Sequence, residues 1–398
     1  PKVGTTISSA KIGTVSLSNG NITWMDISGN PRDNYLPFMD WADNSNELFV
    51  QQIPRKQTHN NVYICDVNSG KSVKIMTDGT DKHWIDVNTD IIWFNKGKDF
   101  RWLSEEDGWN HIYLVSRDGK QKKLVTKGDY DVMKINYIDN AKGYVYFTSS
   151  LDNPVMRFVY RIKTDGKSKP EKIMPQFTNG THTYTIAPGA MYAIHQHSSA
   201  TSPSRTNLIN LQKNKVVRNL VSNKTLEEKI AALNINPQEF FRTEVEPNVL
   251  LDCYMIKPAG FDAAKKYPVI FYVYGEPAGT TVSDSWGGTG YLFHQYLAQN
   301  GYIVISVENR GTPVPRGVGF RKYAYKEIGI KAPKDQANAV KKILETYSFI
   351  DPSRVGVWGW CGGVSMTFNS MLQFPDLYKT GVAVASLPDH LLYIAFYQ

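Results

Sequence analysis

The chain has 398 residues, of which 41% are hydrophobic and 12% aromatic, a composition typical of a folded protein rich in β-strands, with about two or three domains. Lys and Arg number 45 against 37 Asp and Glu, but the basic residues are scattered, which argues against a nucleic-acid surface. No apolar run is long enough to span a bilayer, and the three cysteines, Cys65, Cys253 and Cys361, are too far apart for a disulfide framework or a metal motif. Because the chain starts at Pro1 without a Met or a signal peptide, we expect the natural N-terminus to lie upstream.

The first part of the chain repeats one pattern, in which a strand ends in a polar two-residue turn and a second strand returns. The turn glycines Gly70, Gly119 and Gly166 recur at intervals of about 48 residues, and residues 208–215 form a degenerate fourth copy. Such hairpins are typical of propeller blades, each built from four short strands. We therefore predict a partial β-propeller of about four to five blades over residues 1–222, belonging to a larger propeller because an unclosed one leaves strand edges exposed. The alternative is a β-sandwich with accidental turn spacing.

A charged turn in the second copy contains Glu105 and Glu106 between aromatic residues. A pair of glutamates is a candidate cation site, and the alternative is a solvated turn that leads into a strand. Because exposed acidic turns are far more common than cation sites, we expect the solvated turn.

The pattern changes near residue 222. A short amphipathic helix is predicted at residues 224–233, and two strands follow near 239–245 and 249–256. After them, apolar strands alternate with helices, which is typical of a doubly wound, mainly parallel sheet. These elements are a strand at 267–275, a helix at 291–299, a strand at 302–307, a helix at 335–346 and a strand at 381–385.

The sequence Gly-x-Cys-x-Gly around Cys361 joins an apolar strand to a helical segment. In a nucleophile elbow the central residue of a tight strand-to-helix turn is strained, so the residues two positions before and after it must be small. Gly359 and Gly363 satisfy this requirement, although Cys361 stands where Ser is usual. An elbow on a doubly wound sheet predicts an α/β-hydrolase domain, of which residues 223–398 are the N-terminal two-thirds. The alternative is an ordinary Gly-rich turn.

Three motifs follow the blade repeats in order: the apolar strand that ends in Tyr274, the segment Glu-Asn-Arg-Gly-Thr at residues 308–312, and Gly-Trp-x-Gly-Gly around Cys361. This combination resembles the prolyl oligopeptidase clan, most closely its dipeptidyl peptidase IV branch, over essentially the whole chain. The resemblance implies a serine-type exopeptidase that releases Xaa-Pro or Xaa-Ala dipeptides from peptide N-termini through an acyl-enzyme. It implies a peptide as partner and no cofactor or metal.

The resemblance also assigns individual roles. Residue 361 is the nucleophile, and the Tyr274 hydroxyl and the Gly362 N–H donate to the oxyanion. Tyr393 and Tyr397, four residues apart on one face of a helix, form the pocket for the penultimate proline. The alternatives are a structural hydrogen bond for Tyr274 and an ordinary core position for the two other tyrosines.

The sequence departs from the family pattern in several ways. The family places its acid and histidine after the nucleophile, so we expect both beyond Gln398, and His390 is too close to the elbow to serve. The family's glutamate pair for the substrate N-terminus belongs upstream of Pro1, so that role is not carried to Glu105 and Glu106. A thiol without a paired histidine hydrolyses peptides poorly, and we expect this stretch alone to be inactive.

Two further hypotheses stay open. One is a pseudoenzyme that binds peptides or proteins without cleaving them, and the other is an oligopeptidase or acylaminoacyl peptidase. Analogy with relatives also implies an exported protein, periplasmic or extracellular, and a homodimer formed through the hydrolase domain.

Overall fold

The computed structural model of the protein describes residues 6–89, 91–174, 179–233 and 235–385. Within these ranges, the first half of the chain contains a two-stranded antiparallel sheet followed by four antiparallel sheets of four strands. Strand order in each sheet follows chain order, as propeller blades require, so the predicted β-propeller is confirmed. The strands are β1 (Gly13–Val15), β2 (Ile22–Trp24), β3 (Asn34–Trp41), β4 (Glu47–Pro54), β5 (His59–Asp66), β6 (Ser72–Gly79), β7 (Trp93–Phe94), β8 (Asp99–Ser104), β9 (His111–Ser116), β10 (Lys122–Leu124), β11 (Val132–Asp139), β12 (Tyr144–Ser149), β13 (Phe158–Lys163), β14 (Glu171–Ile173), β15 (Thr181–Ile186), β16 (Tyr192–Ser199), β17 (Ser202–Asn210) and β18 (Lys215–Val221).

The three turn glycines account for the repeat in the sequence. Gly70, Gly119 and Gly166 have φ angles of 75°, 72° and 67°, a left-handed conformation that favours glycine. A Cβ at any of them would lie 2.1 to 2.5 Å from a main-chain oxygen in the last strand of the preceding sheet. Those oxygens belong, in the same order, to Trp24, Ile75 and Leu124. Each glycine is therefore required both by the turn and by the close approach of neighbouring blades.

Aromatic side chains fill the space between blades. Phe49, Phe100 and Trp102 are fully buried between the first two four-stranded sheets, and Phe147 and Tyr160 are buried at the next interface. Because these rings each bury a large apolar area, they supply much of the hydrophobic stabilisation between sheets. The high aromatic content of the sequence thus serves blade packing.

After residue 222 the chain forms a mixed six-stranded sheet with the order β19-β20-β22-β21-β23-β24. Its strands are β19 (Glu239–Glu246), β20 (Val249–Ile256), β21 (Tyr267–Tyr272), β22 (Ile303–Val307), β23 (Ile350–Trp360) and β24 (Thr380–Val384). Strands β21, β22, β23 and β24 are parallel to one another, whereas β20 runs antiparallel to both of its neighbours, β19 and β22. This arrangement confirms the doubly wound α/β-hydrolase sheet. The helices are α1 (Lys224–Ala231), α2 (Gly288–Gln299), α3 (Val318–Arg321), α4 (Ile328–Thr346) and α5 (Gly362–Gln373). The domain boundary predicted at residue 222 falls between β18 and α1 and stays a prediction.

Helices cover both faces of this sheet. Residues of α4 and α5 belong to one apolar cluster with the strands, and Ala298 of α2 belongs to a second cluster on the opposite face. The helix predicted from residue 335 begins earlier, at Ile328, and has Pro333 in its interior. The Gly329 carbonyl, to which Pro333 has no N–H to donate, accepts instead from the Gln373 side chain at 2.8 Å. The sheet and α5 together place the turn at Cys361 at the end of β23.

The propeller and the hydrolase sheet are joined by a buried polar contact. The Gly317 N–H donates to Asp131 at 2.7 Å, and Arg321 of α3 pairs with Asp131 at 3.0 Å and with Glu105. The Glu105 side chain is only 12% exposed, so the expected solvated turn is wrong for this residue. The reason is that Glu105 faces the buried guanidinium of the other domain, which its position in the blade sequence does not reveal.

Candidate active site

Cys361 forms the turn between β23 and α5 and has a strained backbone. Its φ of 54° and ψ of −114° are unfavourable for a residue with a side chain. The Cys361 N–H donates to the Val384 carbonyl at 3.1 Å, and its carbonyl accepts from the Val364 N–H at 2.9 Å. The Cys361 side chain is exposed, whereas Cys65 and Cys253 are buried. The structure therefore presents one accessible thiol at the predicted elbow.

The flanking glycines allow the strand and the helix to approach each other closely. A Cβ on Gly359 would lie 2.2 Å from the carbonyl oxygen of Gly363, and a Cβ on Gly363 would lie 2.2 Å from that of Val273. Main-chain atoms cannot move aside as side chains can, so a larger residue at either position would distort the turn. The elbow thus rests directly on the end of β21.

The loop after β21 lies against Gly362, the first residue of α5. A Cβ on Gly362 would lie 3.0 Å from Cζ of Tyr274, so the phenol ring is next to the turn. The same Cβ would lie 2.5 Å from Oε2 of Glu276, a residue that is only 8% exposed. The structure therefore brings together Cys361, Gly362 and Tyr274, as the resemblance implied. It adds Glu276, which the sequence reasoning missed although it is an acidic residue at the end of an apolar strand.

Residues 308–312 support the loop that carries Tyr274. Asn309 donates its amide to the Gly275 carbonyl at 3.0 Å, and its amide oxygen accepts from Gln336 at 2.9 Å. Arg310 binds Asp335 through two hydrogen bonds of 2.9 and 2.7 Å. Such bidentate pairs fix direction as well as distance. The Glu-Asn-Arg-Gly-Thr motif therefore positions the Tyr274 loop against α4.

Glu308 fixes a second loop behind the elbow. Its Oε2 accepts hydrogen bonds from the N–H groups of Thr281 and Val282 at 2.8 and 2.9 Å. Burial raises the pKa of Glu308 to about 7, because the charged form loses its hydration. The same loop reaches the propeller, where Asp284 accepts from the Ala200 N–H at 2.8 Å. Glu308 thus links the sheet beneath the elbow to the last blade.

Three predicted positions lie outside the described residues: Tyr393, Tyr397 and His390. The proline pocket therefore stays a prediction. Among the residues that the structure does describe, no group of three or more His, Cys, Asp or Glu side chains could hold a metal ion. No helix in that part of the chain is both long and apolar enough to cross a membrane.

Comparisons with known proteins identify the family. Residues 1–204 match the family described as "Dipeptidyl peptidase IV (DPP IV) N-terminal region", and residues 292–398 match the prolyl oligopeptidase family. Dipeptidyl peptidase 4 of Arthroderma otae is 27% identical and that of Trichophyton rubrum 26% identical, each over 100% of this chain and 52% of the relative. The crystal structure of Porphyromonas gingivalis dipeptidyl peptidase 4 is similar with a TM-score of 0.91 and 29% identity, over 100% of this chain and 55% of the other. The chain spans about half the length of the curated relatives it matches.

Proposed function

The chain belongs to the dipeptidyl peptidase IV family of the prolyl oligopeptidase clan, and from this we propose that the complete protein releases Xaa-Pro or Xaa-Ala dipeptides from peptide N-termini. The observation that supports the proposal most directly is the elbow. Cys361 has a positive φ at the end of β23, with the Tyr274 ring against the neighbouring Gly362. This arrangement suits a nucleophile that attacks a carbonyl carbon beside two hydrogen-bond donors.

In the proposed reaction, residue 361 attacks the carbonyl carbon of the penultimate residue, the second from the substrate N-terminus. A general base takes the proton of the nucleophile, the C–N bond breaks as the leaving amine is protonated, and water then hydrolyses the acyl-enzyme. The Tyr274 hydroxyl and the Gly362 N–H are proposed to donate to the oxyanion. Tyr393 and Tyr397 are proposed to pack on the proline ring. The homodimer and the exported location stay predictions.

The test uses the full-length protein, as found and as Cys361→Ser, with a chromogenic Gly-Pro substrate. We expect the Ser variant to turn over, because a hydroxyl restores the usual nucleophile of the family. Cys361→Ala serves as the blank, and Tyr274→Phe in the Ser background should lower kcat by about 100-fold or more. If the Ser variant shows no turnover above the Ala blank, the peptidase proposal fails.

A second proposal is a pseudoenzyme that binds peptides without cleaving them. Two observations favour it: a thiol stands at the nucleophile position, and the carboxylate of Glu276 lies against Gly362. In that case calorimetry would detect binding of a Gly-Pro peptide to the full-length protein, while neither the protein as found nor its Cys361→Ser variant would release product. Product release by the protein as found would instead exclude the pseudoenzyme.

A further inference from the structure

We infer that Glu276 places its carboxylate beside the oxyanion position of the elbow, so that it disfavours negative charge on a reagent or substrate that residue 361 attacks. Its consequence for peptide cleavage rests on the proposed function. Its effect on small reagents that alkylate the thiol does not rest on the proposed function, so alkylation and peptide cleavage are tested in separate experiments.

The position of the carboxylate carries this inference. Oε2 and Cδ of Glu276 lie 2.5 and 2.9 Å from the Cβ position of Gly362, which begins the 12-residue helix α5. The first N–H groups of a helix have no partner within the helix, and the helix dipole adds partial positive charge there. A helix N-terminus is therefore a site where anions bind readily. Here the chain places its own carboxylate against the first residue of α5, with only 8% of the Glu276 residue exposed.

Glu276 and Gly362 also fit each other sterically. A Cβ at position 362 would overlap the carboxylate where it now lies, so a side chain there would require Glu276 to move. The Tyr274 ring approaches the same glycine, with Cζ at 3.0 Å from the Cβ position. Glu276 is therefore adjacent to both groups that the proposed reaction uses to hold an oxyanion.

Among the described residues, the elements beside Glu276 bring few ionisable groups towards it. Helix α5 has no ionisable side chain, and the elbow contributes only the Cys361 thiol. Its own loop contributes the Tyr274 phenol. The supporting segment contributes Glu308 and Arg310, of which Arg310 is paired with Asp335.

The effect of a carboxylate beside the elbow is large enough to be measured. Two unit charges about 5 to 10 Å apart at an effective dielectric constant near 20 repel each other strongly enough to slow a reaction on the order of 10- to 100-fold. A neutral carboxyl group would instead donate a hydrogen bond to an oxyanion, as buried protonated carboxyls do in other enzymes. Reactivity at residue 361 should therefore change with the charge on Glu276.

The thiol test compares alkylation of Cys361 by iodoacetamide, which is neutral, and by iodoacetate, which is anionic. In both reactions the thiolate forms a C–S bond and iodide leaves, so only the charge of the reagent differs. We expect Glu276→Gln to raise the iodoacetate-to-iodoacetamide rate ratio about tenfold. Removing a nearby negative charge favours the approach of the anionic reagent.

Two variants control for structural effects. Glu276→Asp keeps the charge and should keep a ratio close to that of the unmodified protein. Glu345→Gln removes an exposed carboxylate of α4 and should not change the ratio. Cys361→Ser should abolish alkylation at residue 361. An equal ratio for the Glu276→Gln and unmodified proteins between about pH 6 and about pH 9 would overturn the inference.

The peptidase arm uses the full-length Cys361→Ser protein with the Gly-Pro substrate. Adding Glu276→Gln should raise kcat about tenfold at neutral pH and remove one ionisation from its pH profile. If the alkylation ratio changes but no variant turns over, the inference stands and the proposed function fails. If Cys361→Ser turns over while Glu276→Gln alters neither ratio nor kcat, the proposed function stands and the inference fails.

Discussion

The guanidinium of Arg321 lies 3.0 Å from the carboxylate of Asp131, and this buried ion pair joins the hydrolase sheet to the propeller. Both side chains are almost fully buried, at 10% and 3% exposure. Asp131 also accepts hydrogen bonds from the N–H groups of Asn110 and Gly317, each at 2.7 Å. One carboxylate thus holds the blade hairpin and the segment before α3 together.

Breaking this pair should be costly. Removing one partner of a buried ion pair leaves the other charge uncompensated, which typically costs about 3–5 kcal/mol. We therefore expect Arg321→Met to lower the free energy of unfolding by about that amount. Unfolding in urea, monitored by tryptophan fluorescence, measures the change. The exposed pair of Lys342 and Glu345 provides the control, and Glu345→Gln should cost less than about 0.5 kcal/mol. A change for Arg321→Met no larger than that of the control would show that the contact adds nothing to stability.

The elbow glycine Gly363 should not tolerate a methyl group. A Cβ at this position would lie 2.2 Å from the carbonyl oxygen of Val273, the residue that follows β21. We expect Gly363→Ala to destabilise the protein by about 3 kcal/mol or more, measured by urea unfolding. Gly290 in α2 is a matched control, since a Cβ there meets nothing within 4 Å. Gly290→Ala should be neutral or stabilise by up to about 1 kcal/mol, and similar effects at both glycines would contradict the close-packed turn.

Two histidines of the last blade should make stability depend on pH. Nδ1 of His182 lies 3.0 Å from Nε2 of His195, and both rings are buried. Burial, together with the neighbouring His197, lowers their pKa to about 3 and about 4, from 6.5. Because the native pKa is lower than the unfolded one, the unfolded state binds more protons below about pH 6.5. Stability is therefore complete above about pH 6.5 and falls as the pH decreases towards about 4.

Each histidine contributes a slope of up to about 1.4 kcal/mol per pH unit in this range. We expect His195→Gln to reduce the dependence of the unfolding free energy on pH by about that slope between about pH 5 and about pH 6. A purely structural role would lower stability equally at every pH. An unchanged slope would therefore contradict neutral burial of the pair.

Of Cys65, Cys253 and Cys361, only Cys361 should react with a thiol reagent in the native protein. Cys361 is exposed, whereas burial raises the pKa of the Cys65 and Cys253 thiols and blocks access to them. Peptide mapping by mass spectrometry after brief iodoacetamide treatment should show an adduct at Cys361 alone among these three, and adducts at all three after denaturation. Cys361→Ser should show no adduct at these three positions in the native state. Rapid native labelling of Cys253 would mean that the sheet core opens in solution.

Much of the fold could be predicted because its signals are local. The blade repeats were visible since Gly70, Gly119 and Gly166 are each required by a left-handed turn, which any hairpin of this kind imposes on its own sequence. The elbow was visible for the same reason, since Gly359 and Gly363 lie within a few residues of Cys361. Alternating apolar strands and helices likewise indicated the doubly wound sheet.

Other features were decided only by contacts between distant parts of the chain. The sequence around Glu105 resembles a solvated turn, and only the approach of Arg321 from the other domain makes it a buried ion pair. Glu276 follows an ordinary strand, and only the packing of its loop on α5 places the carboxylate against Gly362. Propensity and spacing describe how a segment folds locally, whereas burial and charge pairing depend on which segments meet. The sequence by itself therefore determined the blades, the sheet and the elbow, and the tertiary structure decided the electrostatic environment of the elbow.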